Sequence, residues 1–473
     1  MSRACAALRL AAAGLLLLVV GSTSAWAEDL LEVYQAARHN DAAFAQARHA
    51  FLAAAQAIPT ARAGLLPSIS LQGNDGLTRA STSFADLPQV DRRIRTWTWT
   101  LELDQPLFDL GKFYAYRQSR FAVEEARARF DQASSALILK VARAYFGVVA
   151  AQEALAAARA RVMATRSQLA QAKQGFRSGI AAVTDVYEAR ARLELARSRE
   201  VAAAGDLDNK RAQLQRITDE WPGKLATLRP EAVIPKPAPD DPRAWMDAAR
   251  QRNPQVRAHQ AALAQARAAI RRSRAGFLPT IDLTASYGDN YASDNLTSPQ
   301  DYSTRYASAA LGLKVVVPLY SGGATDSDVA AALAKRDEAA DALRRARRHA
   351  ATEARSALIG IRDGIMRIRA LDASLRAGRA AVKGDEVGYR LGLRINTDVL
   401  GAQQQVYRAR RDLARARYET LLQGLKLKAA VGSLSEADLA TLNALLSQPA
   451  SRPADRRTRP GSALLRRGSV FNE

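Results

Sequence analysis

Four short segments of the chain alternate between polar and apolar residues, which is the pattern of β-strands with two unlike faces. Between positions 96 and 104 the even residues are Thr, Glu or Asp, and the odd residues from 97 to 103 are Trp or Leu. In another segment every odd residue from 307 to 317 is apolar. The pattern predicts four strands in two hairpins, with polar loops at 74–93 and 288–304. The predicted strands lie at about 66–78, 95–108, 279–290 and 305–319.

Two much longer segments have the composition of helices. Residues 112–175 and 324–388 contain no proline and are rich in Ala, Arg, Leu, Gln and Glu, which favour helix. A helix over 112–175 would span roughly 95 Å, more than is usual in globular domains, which favours coiled-coil packing. The sequence predicts long helices over 112–217 and 324–430. A rod-like coiled coil without a pore remains an alternative.

The chain is a duplication of one unit. RAGLLPSISLQG at 62–73 returns as RAGFLPTIDLTA at 274–285, and the Thr-Asp-Val of 184–186 returns at 397–399. A fixed offset of 212 to 213 residues over such distant motifs indicates an internal repeat. The predicted units are a first repeat at 28–220, a proline-rich linker at 221–242, a second repeat at 243–434, and an extension at 435–473. The extension is expected to be basic and disordered from about 451.

The repeated RAG-x-LP motif is predicted to be the joint at which a helix ends and a strand begins. Glycine there can relax the backbone, and proline cannot continue a helix. A second proline pair, also 212 residues apart, is predicted to end the second strand of each hairpin. These residues are Gly64, Pro67, Gly276 and Pro279 at the joints, and Pro106 and Pro318 at the strand ends.

The first 27 residues have the three parts of a secretory signal peptide. Two arginines precede an apolar run at 11–21, and Ala25 and Ala27 have the spacing of a cleavage site. A membrane anchor is the alternative, but the apolar run is too short to span a bilayer comfortably. Cys5, the only cysteine, leaves with this segment, so the mature chain is expected to lack disulfides and a lipid anchor. No later stretch approaches 18 consecutive apolar residues.

In an exported chain without a membrane helix, the four strands have two possible structural settings. They could form ordinary hairpins on a soluble core. Strands of about ten residues with one apolar face, aromatic residues and long polar loops are also the signature of an outer-membrane barrel. Four strands cannot close a barrel, and an open edge in lipid costs several kcal/mol for each unpaired backbone group. Strands that enter a membrane therefore require several chains to share one barrel.

The net charge of +22 and the pI near 10.5 would suit an anionic partner. However, the arginines are spread along helices among acidic residues and cluster only in the tail beyond 451. We therefore expect solvated helix faces and no binding of nucleic acid. The four histidines are scattered without metal-ligand spacing, and the sequence has no phosphate loop or nucleophile motif. Neither an enzyme nor a cofactor or metal site is expected.

The repeated joint motif, the paired Thr-Asp-Val breaks and above all YRLGLRINTDVLGAQQQVYRARRDLARARYETLLQGLKLKAAVGSL at 389–434 resemble the TolC family of outer-membrane channels. The resemblance covers roughly residues 28–434. It implies a mainly α homotrimer with membrane β-structure, in which each chain gives four strands to a twelve-stranded barrel continuous with a periplasmic helical tunnel. It also implies a passive duct, bounded by outer-membrane lipid. Cargo would arrive from an inner-membrane transporter, of the ABC or another class, and its periplasmic membrane-fusion adaptor.

The resemblance also implies a gate at the helical tips. By matching positions, Tyr389 and Arg394 would hold the closed state through contacts with Thr184 and Asp185 on the other hairpin. A charge-assisted Arg–Asp bond is strong enough to hold a pair of helices together. Asp398 would point into the constriction, where three copies form an anionic ring that attracts cations.

One departure from the family and one alternative bear on this gate. Family members with two acidic rings carry a second Asp three residues further on, where this chain has Gly401, so the second ring would be missing. Thr184 and Thr397 each precede Asp at a predicted helix start, where these residue types also serve as caps. Capping and gating are compatible.

Three functions remain open from the sequence. The first is the outer-membrane channel of a type I secretion system. This chain resembles the component that exports an adenylate cyclase toxin, cyclolysin, in its size, its Arg/Ala-rich composition and its start without a lipid anchor. A protein toxin is therefore the expected cargo. The second is the outer-membrane channel of a multidrug efflux system. The third is a periplasmic coiled-coil adaptor or structural protein, but adaptors carry one helical hairpin and this chain has two.

Overall fold

The computed structural model describes residues 28–83, 87–179, 182–229, 231–298, 300–391, 393–394 and 396–447. The predicted signal peptide at 1–27 and the basic tail from 451 lie outside the described residues.

The two repeats have the same order of helices and strands. The first contains α1 (Leu30–Asn40), α2 (Ala42–Ala55), α3 (Ala57–Ala63), β1 (Ser68–Thr82), β2 (Val90–Phe108), α4 (Leu110–Arg177) and α5 (Val183–Thr218). The second contains α6 (Pro242–Arg252), α7 (Pro254–Arg274), a 3-10 turn (Ala275–Phe277), β3 (Thr280–Ala292), β4 (Thr304–Val316), α8 (Ala324–Arg390) and α9 (Asn396–Val431). A short helix, α10 (Glu436–Asn443), follows.

The four strands form one antiparallel sheet in the order β1-β2-β3-β4. The contact between β2 and β3 joins the two repeats, with Leu101 opposite Tyr287. Strand β1 continues to Thr82 and β2 begins at Val90, so the turn is much shorter than the predicted loop at 74–93. The alternation ends before the strands do because their outer ends carry polar residues on both faces. Backbone pairing needs no apolar face and therefore continues past that point.

The long helices set the dimensions of the molecule. Helix α4 has 68 residues and α8 has 67, which correspond to roughly 100 Å each at about 1.5 Å per residue. The shorter helices α5 and α9, with 36 residues each, return along them. Each repeat is therefore a strand hairpin followed by a helical hairpin, as the sequence predicts.

The largest hydrophobic core of the described residues lies about midway along α4, where both repeats meet α1 and α10. It includes Leu30 and Tyr34 of α1, residues between Leu137 and Leu155 of α4, and Leu439 of α10. Among the described helices, α4 is the one long and apolar enough to cross a membrane. Because Val141, Tyr145 and their neighbours pack into this core, the apolar stretch is explained by protein packing.

The duplication extends to individual hydrogen bonds. The side-chain amide of Asn40 donates to the carbonyl of Thr218, at the end of α5, over 2.6 Å. In the second repeat Asn253 donates in the same way to Ala430, near the end of α9, over 2.8 Å. Each asparagine thus ties the start of its repeat to the end of the returning helix and satisfies a carbonyl that the helix leaves free.

A buried polar link joins the two repeats inside the main core. The hydroxyl of Tyr418 on α9 donates to the Glu153 carboxylate on α4 over 2.6 Å. The Tyr418 ring also packs on Phe146, with ring centroids 5.4 Å apart. Burial raises the pKa of Glu153, and the Tyr418 hydroxyl and two nearby arginines oppose that rise only in part.

We expect Glu153→Gln to make the heat stability of the protein less dependent on pH. Since the folded state raises the pKa of Glu153, folding takes up a proton there. The stability that this group contributes is present at low pH and is lost as the pH rises from about 4.5 through the raised pKa. The heat stability of the variant relative to the native protein should therefore increase as the pH rises. Glutamine can still accept the hydrogen bond from the Tyr418 hydroxyl.

The measurement is the midpoint of heat dissociation between pH 4 and 8. Glu338→Gln, an exposed site on α8, is the control and should follow the native curve. Parallel curves for Glu153→Gln and the native protein would contradict the assignment.

Candidate functional site

The two faces of the sheet differ in character. The outward face, defined by odd-numbered positions, exposes large apolar side chains to between 41% and 76%. These residues are Ile69, Leu71, Leu77, Trp97, Leu101, Tyr287, Leu311, Leu313 and Val315. Apolar surface of this extent on one face of a sheet indicates contact with lipid or with another protein.

The even-numbered positions form the opposite, inward face, which is polar. The register aligns Gln72, Thr100 and Gly288 in one row and Ser70, Glu102 and Ser286 in the next. An antiparallel sheet with one apolar and one polar face matches the wall of a water-filled barrel.

The height of the apolar band also fits a membrane. Outward residues of β4 are apolar from Ala307 to Val315, and the apolar Val317 directly follows the strand. Ten residues of tilted strand rise roughly 24 Å. Trp97 lies directly opposite Tyr291 at the upper end of the band. Aromatic residues at that level are typical of the boundary between lipid tails and headgroups.

The upper end of the sheet is partly covered on its inward face by the loop between β3 and β4. Arg92, an inward residue of β2, has a side chain that is 1% exposed. Its guanidinium contacts the Asp294 carboxylate at 3.0 Å and the Asp301 carboxylate at 3.2 Å, and donates to the Asn295 carbonyl over 2.7 Å. Ile94, the next inward residue, is also buried. The loop therefore folds over the inside of the sheet.

We expect Arg92→Ala to release this loop. Removing one partner of a buried ion pair costs roughly 3–5 kcal/mol, so cleavage of 293–303 by proteinase K added to intact cells should become at least tenfold faster. Arg93→Ala is the matched control, because Arg93 is the adjacent residue and points to the opposite face. Equal cleavage in both variants would mean that Arg92 does not hold the loop.

The joints lie where the sequence predicts them, but neither joint glycine has a positive φ. Helix α3 ends at Ala63 and β1 begins at Ser68. Gly64 has φ −65° and ψ −11°, an ordinary helical conformation, so it does not use the backbone freedom that glycine offers. At Gly276 a Cβ would lie 3.1 Å from Thr325 Cγ2, so a larger residue there would require the threonine side chain to shift slightly. Pro67 and Pro279 each immediately precede a strand.

The two strand-ending prolines behave differently. Pro106 lies within β2, opposite Asp282, and the register shifts between Pro106 and Phe108. The strand ends at Phe108, the predicted limit, but Pro106 lies two residues before that end, because a bulge accommodates the missing N–H and pairing resumes. Pro318 lies just after β4, which ends at Val316.

At the tip of the first hairpin, Asp185 helps to begin the returning helix. Helix α5 begins at Val183, so Ala182 is its cap position and Thr184 lies inside the first turn. The prediction that Thr184 caps the helix is therefore wrong by two positions. Asp185 instead accepts a hydrogen bond from the Ala182 N–H over 3.3 Å, and the Thr184 side chain is exposed.

At the tip of the second hairpin, Arg394 contacts two carboxylates of its own hairpin. It lies 3.7 Å from Asp385 and 3.7 Å from Asp398. Within the described part of the chain no ion pair joins Arg394 to Asp185, so the contacts between hairpins stay a prediction. Asp385 was not predicted from the sequence, where its only signal is its place in the last two turns of α8.

Tyr389 is partly buried near the end of α8. Asp398, with a side chain 37% exposed, lies in the first turn of α9. Gly401 has open space around its Cα, so a larger residue would fit there. The side chain of Thr397 lies outside the described residues.

Comparison with known proteins identifies the family. The model of the family described as "Outer membrane efflux protein" matches residues 33–219 and 245–433, one match in each repeat. "Outer membrane protein TolC" of Escherichia coli (strain K12) is 34% identical over 441 residues, which cover 91% of this chain and 87% of that protein. "Alkaline protease secretion protein AprF" of Pseudomonas aeruginosa is 31% identical over 426 residues, which cover 88% of this chain and 86% of that protein.

A further relative matches a smaller part of the chain. "Protein CyaE" of Bordetella pertussis is 30% identical over 295 residues, which are 62% of this chain and 60% of that protein. Among solved structures, the Campylobacter jejuni CmeC outer membrane channel superposes with a TM-score of 0.73 over 88% of this chain and 89% of that one, at 18% identity.

These findings confirm the predicted duplicated fold, the TolC-type resemblance and the outer-membrane location with a long periplasmic helical portion. Channel proteins of this kind are not enzymes. In the residues that the structure describes, no group of three or more His, Cys, Asp or Glu side chains could hold a metal ion. The chain belongs to the outer membrane efflux protein family, the TolC family that its repeated motifs indicate.

Proposed function

We propose that three copies of this chain form the outer-membrane channel of a type I secretion system, a passive duct for a protein cargo. The observation that carries the duct is the sheet. It has an apolar outward face, a polar inward face, and edge strands β1 and β4 that have no partner strand within the described chain. Pairing of β4 with β1 of a neighbouring copy removes the open edges, and three copies give twelve strands.

The mass of the detergent-purified protein tests the shared barrel. Light scattering coupled to size exclusion should give three chains per particle, since an open edge in lipid is costly. A folded monomer would return the strands to an ordinary soluble core and remove the basis of the duct.

Protein cargo is favoured by the names of relatives that cover most of the chain. AprF is named for secretion of an alkaline protease, and PrtF of Dickeya chrysanthemi, 31% identical over 436 residues, is named for secretion of proteases. A small-molecule cargo is the second candidate, supported by a 26% identical relative named for pyoverdine export. The adaptor alternative does not fit a member of this family with a four-stranded sheet.

Deletion of the gene in its source bacterium separates the two cargo classes. Loss of one or more proteins from the culture medium, restored by the gene in trans, supports type I secretion. Cyclolysin is the first protein to assay where the bacterium makes it. Increased sensitivity to small toxic compounds with an unchanged set of secreted proteins would instead support multidrug efflux.

The helical tips are the proposed docking end for an adaptor and an inner-membrane transporter. They expose apolar side chains on both hairpins: Phe176 by 48%, Tyr187 by 64%, Leu391 by 68% and Leu393 by 77%. Exposed apolar residues on a chain tip of this kind favour a protein partner. Cysteines placed at 187 and 393 should cross-link to the adaptor in intact cells, and cysteines placed midway along α8 should not.

The same tips are the proposed site of the gate. The interaction of Arg394 with Thr184, Asp185 and Tyr389 would close the tunnel between neighbouring hairpins. In the single chain Arg394 is held between Asp385 and Asp398. Opening of the gate therefore exchanges Asp185 for Asp385 and Asp398 as the carboxylate partners of Arg394.

We expect Asp398→Ala to lower the cation selectivity of the reconstituted pore, because three carboxylates leave the constriction together. The measurement is the reversal potential of a planar bilayer under a salt gradient. Asp385→Ala is the matched control, since it also removes a partner of Arg394. If both variants keep native selectivity, Asp398 does not form the anionic ring.

A further inference from the structure

Two arginines face each other on the outward side of the sheet. Arg79 of β1 is directly opposite Arg93 of β2 in an uninterrupted antiparallel register. Both side chains are exposed, and both lie on the face that carries Leu77 and Trp97. Like charges directly opposite each other destabilise a strand pair, so this arrangement needs an explanation.

The other outward arginines of this region already have carboxylate partners. Arg95 contacts Asp75 and Arg305 contacts Asp289, each at 2.7 Å. No ion pair involves Arg79 or Arg93 in the stretches that the structure describes. The carboxylate closest to them in the register, Asp91, accepts a hydrogen bond from the Ser81 hydroxyl across the strand pair.

The height of the arginine pair matches the charged layer of the membrane. Arg93 lies four residues beyond Trp97, which is roughly 14 Å along the strand and roughly 10 Å in height for a strand tilted by about 45°. Trp97 and Tyr291 mark the upper end of the apolar band. The pair therefore stands at the level of the lipid headgroups on the outer side of the membrane.

We propose that Arg79 and Arg93 bind the phosphorylated headgroup of an outer-leaflet glycolipid. A phosphate between the two guanidinium groups would turn a repulsive pair into two charge-assisted contacts, and Arg is the residue that binds phosphate in a bidentate manner. The acyl chains of the same lipid would lie on the apolar band below, against Leu77 and Leu71. A soluble anion lacks that second contact. The site concerns the outer wall and is independent of the cargo.

The test compares the purified full-length channel in detergent with and without added bisphosphorylated lipid A. We expect the lipid to raise the heat-dissociation temperature of the native protein. The Arg79→Gln/Arg93→Gln variant should lose at least half of that rise. Without lipid the same variant should be as stable as the native protein or more stable, because it removes the opposed charges. If the arginines had only a structural role, the variant would not be both at least as stable as the native protein without lipid and less stabilised by lipid.

Two further arms identify the ligand. Lipid A without phosphates should give no rise that depends on the arginines, and inorganic phosphate at equal concentration should give a much smaller one. Arg345→Gln/Arg348→Gln on α8 removes the same charge away from the sheet and should respond as the native protein does. An undiminished rise in the Arg79/Arg93 variant overturns the site. An equal effect of inorganic phosphate overturns the lipid as its occupant.

Discussion

Replacement of Leu311 by lysine should prevent most of the protein from assembling in a membrane. Leu311 is 76% exposed in the single chain and lies near the middle of the apolar band on the outward face. A lysine at the lipid-facing midplane of an outer-membrane barrel costs roughly 2–4 kcal/mol. Each shared barrel would contain three copies, so the cost per barrel is about three times greater. The assembled fraction should fall by at least tenfold.

Ala310→Lys is the matched control for this variant. Ala310 is the adjacent residue, faces inward and pairs with Ser286 in the register. A lysine there meets water in the lumen, so assembly should be close to native and only ion selectivity should change. Heat-modifiable migration of the trimer on gels, together with the membrane fraction of each variant, measures the difference. Equal assembly of the two lysine variants would show that the faces are assigned wrongly.

Replacement of Gly432 by alanine should lower the stability of the protein more than any other addition of a single methyl group in the helical part. Gly432 follows α9 with φ +76°, a left-handed conformation that costs an ordinary residue about 1–2 kcal/mol. A Cβ there would also lie 2.3 Å from the Arg252 carbonyl oxygen and 3.1 Å from Pro254 Cδ. The ends of α6 and α9 would have to separate, and the hydrogen bond between Asn253 and Ala430 lies at this junction. We expect a total loss of roughly 3 kcal/mol or more.

Two companion variants separate conformation from crowding. Gly424→Ala adds the same methyl inside α9, where nothing lies within 4 Å of the new Cβ, and should stabilise the helix by up to about 1 kcal/mol. Asp219 is the equivalent of Gly432 in the first repeat and has φ +64°. Asp219→Gly should therefore be neutral or mildly stabilising. Denaturant unfolding followed by circular dichroism measures all three, and a native midpoint for Gly432→Ala would contradict the account.

Much of the fold is predictable because its signals are local and occur twice. The alternation around Trp97, the proline-free helices and the repeated joint motif each need only neighbouring residues to be recognised. Because the chain contains the unit twice, the elements predicted for one repeat also predict those of the other. The predicted strand limits differ from the observed ones mainly at the outer ends, where polar residues such as Arg92 and Arg93 interrupt the alternation on both faces.

The candidate site was predictable only in part. The two faces of the sheet follow from alternation, but the closing of the β3–β4 loop over Arg92 depends on residues about 200 positions away. The partners of Arg394 were also missed, because Asp385 and Asp398 are brought to it by the turn between two helices. Pro106 was assigned to a strand end because a bulge cannot be read from proline alone.

The sequence by itself determined the duplicated unit, the alternating strands, the long helices and the family. Those features follow from periodicity and from backbone preferences that act over a few residues. Only the tertiary structure decided which charges meet. It opposed Arg79 to Arg93, buried Arg92 under a loop, and linked Glu153 to Tyr418 across the two repeats. The first contact depends on the register of a strand hairpin, and the other two join segments more than 200 residues apart, so helix packing and loop closure across the whole chain decide them.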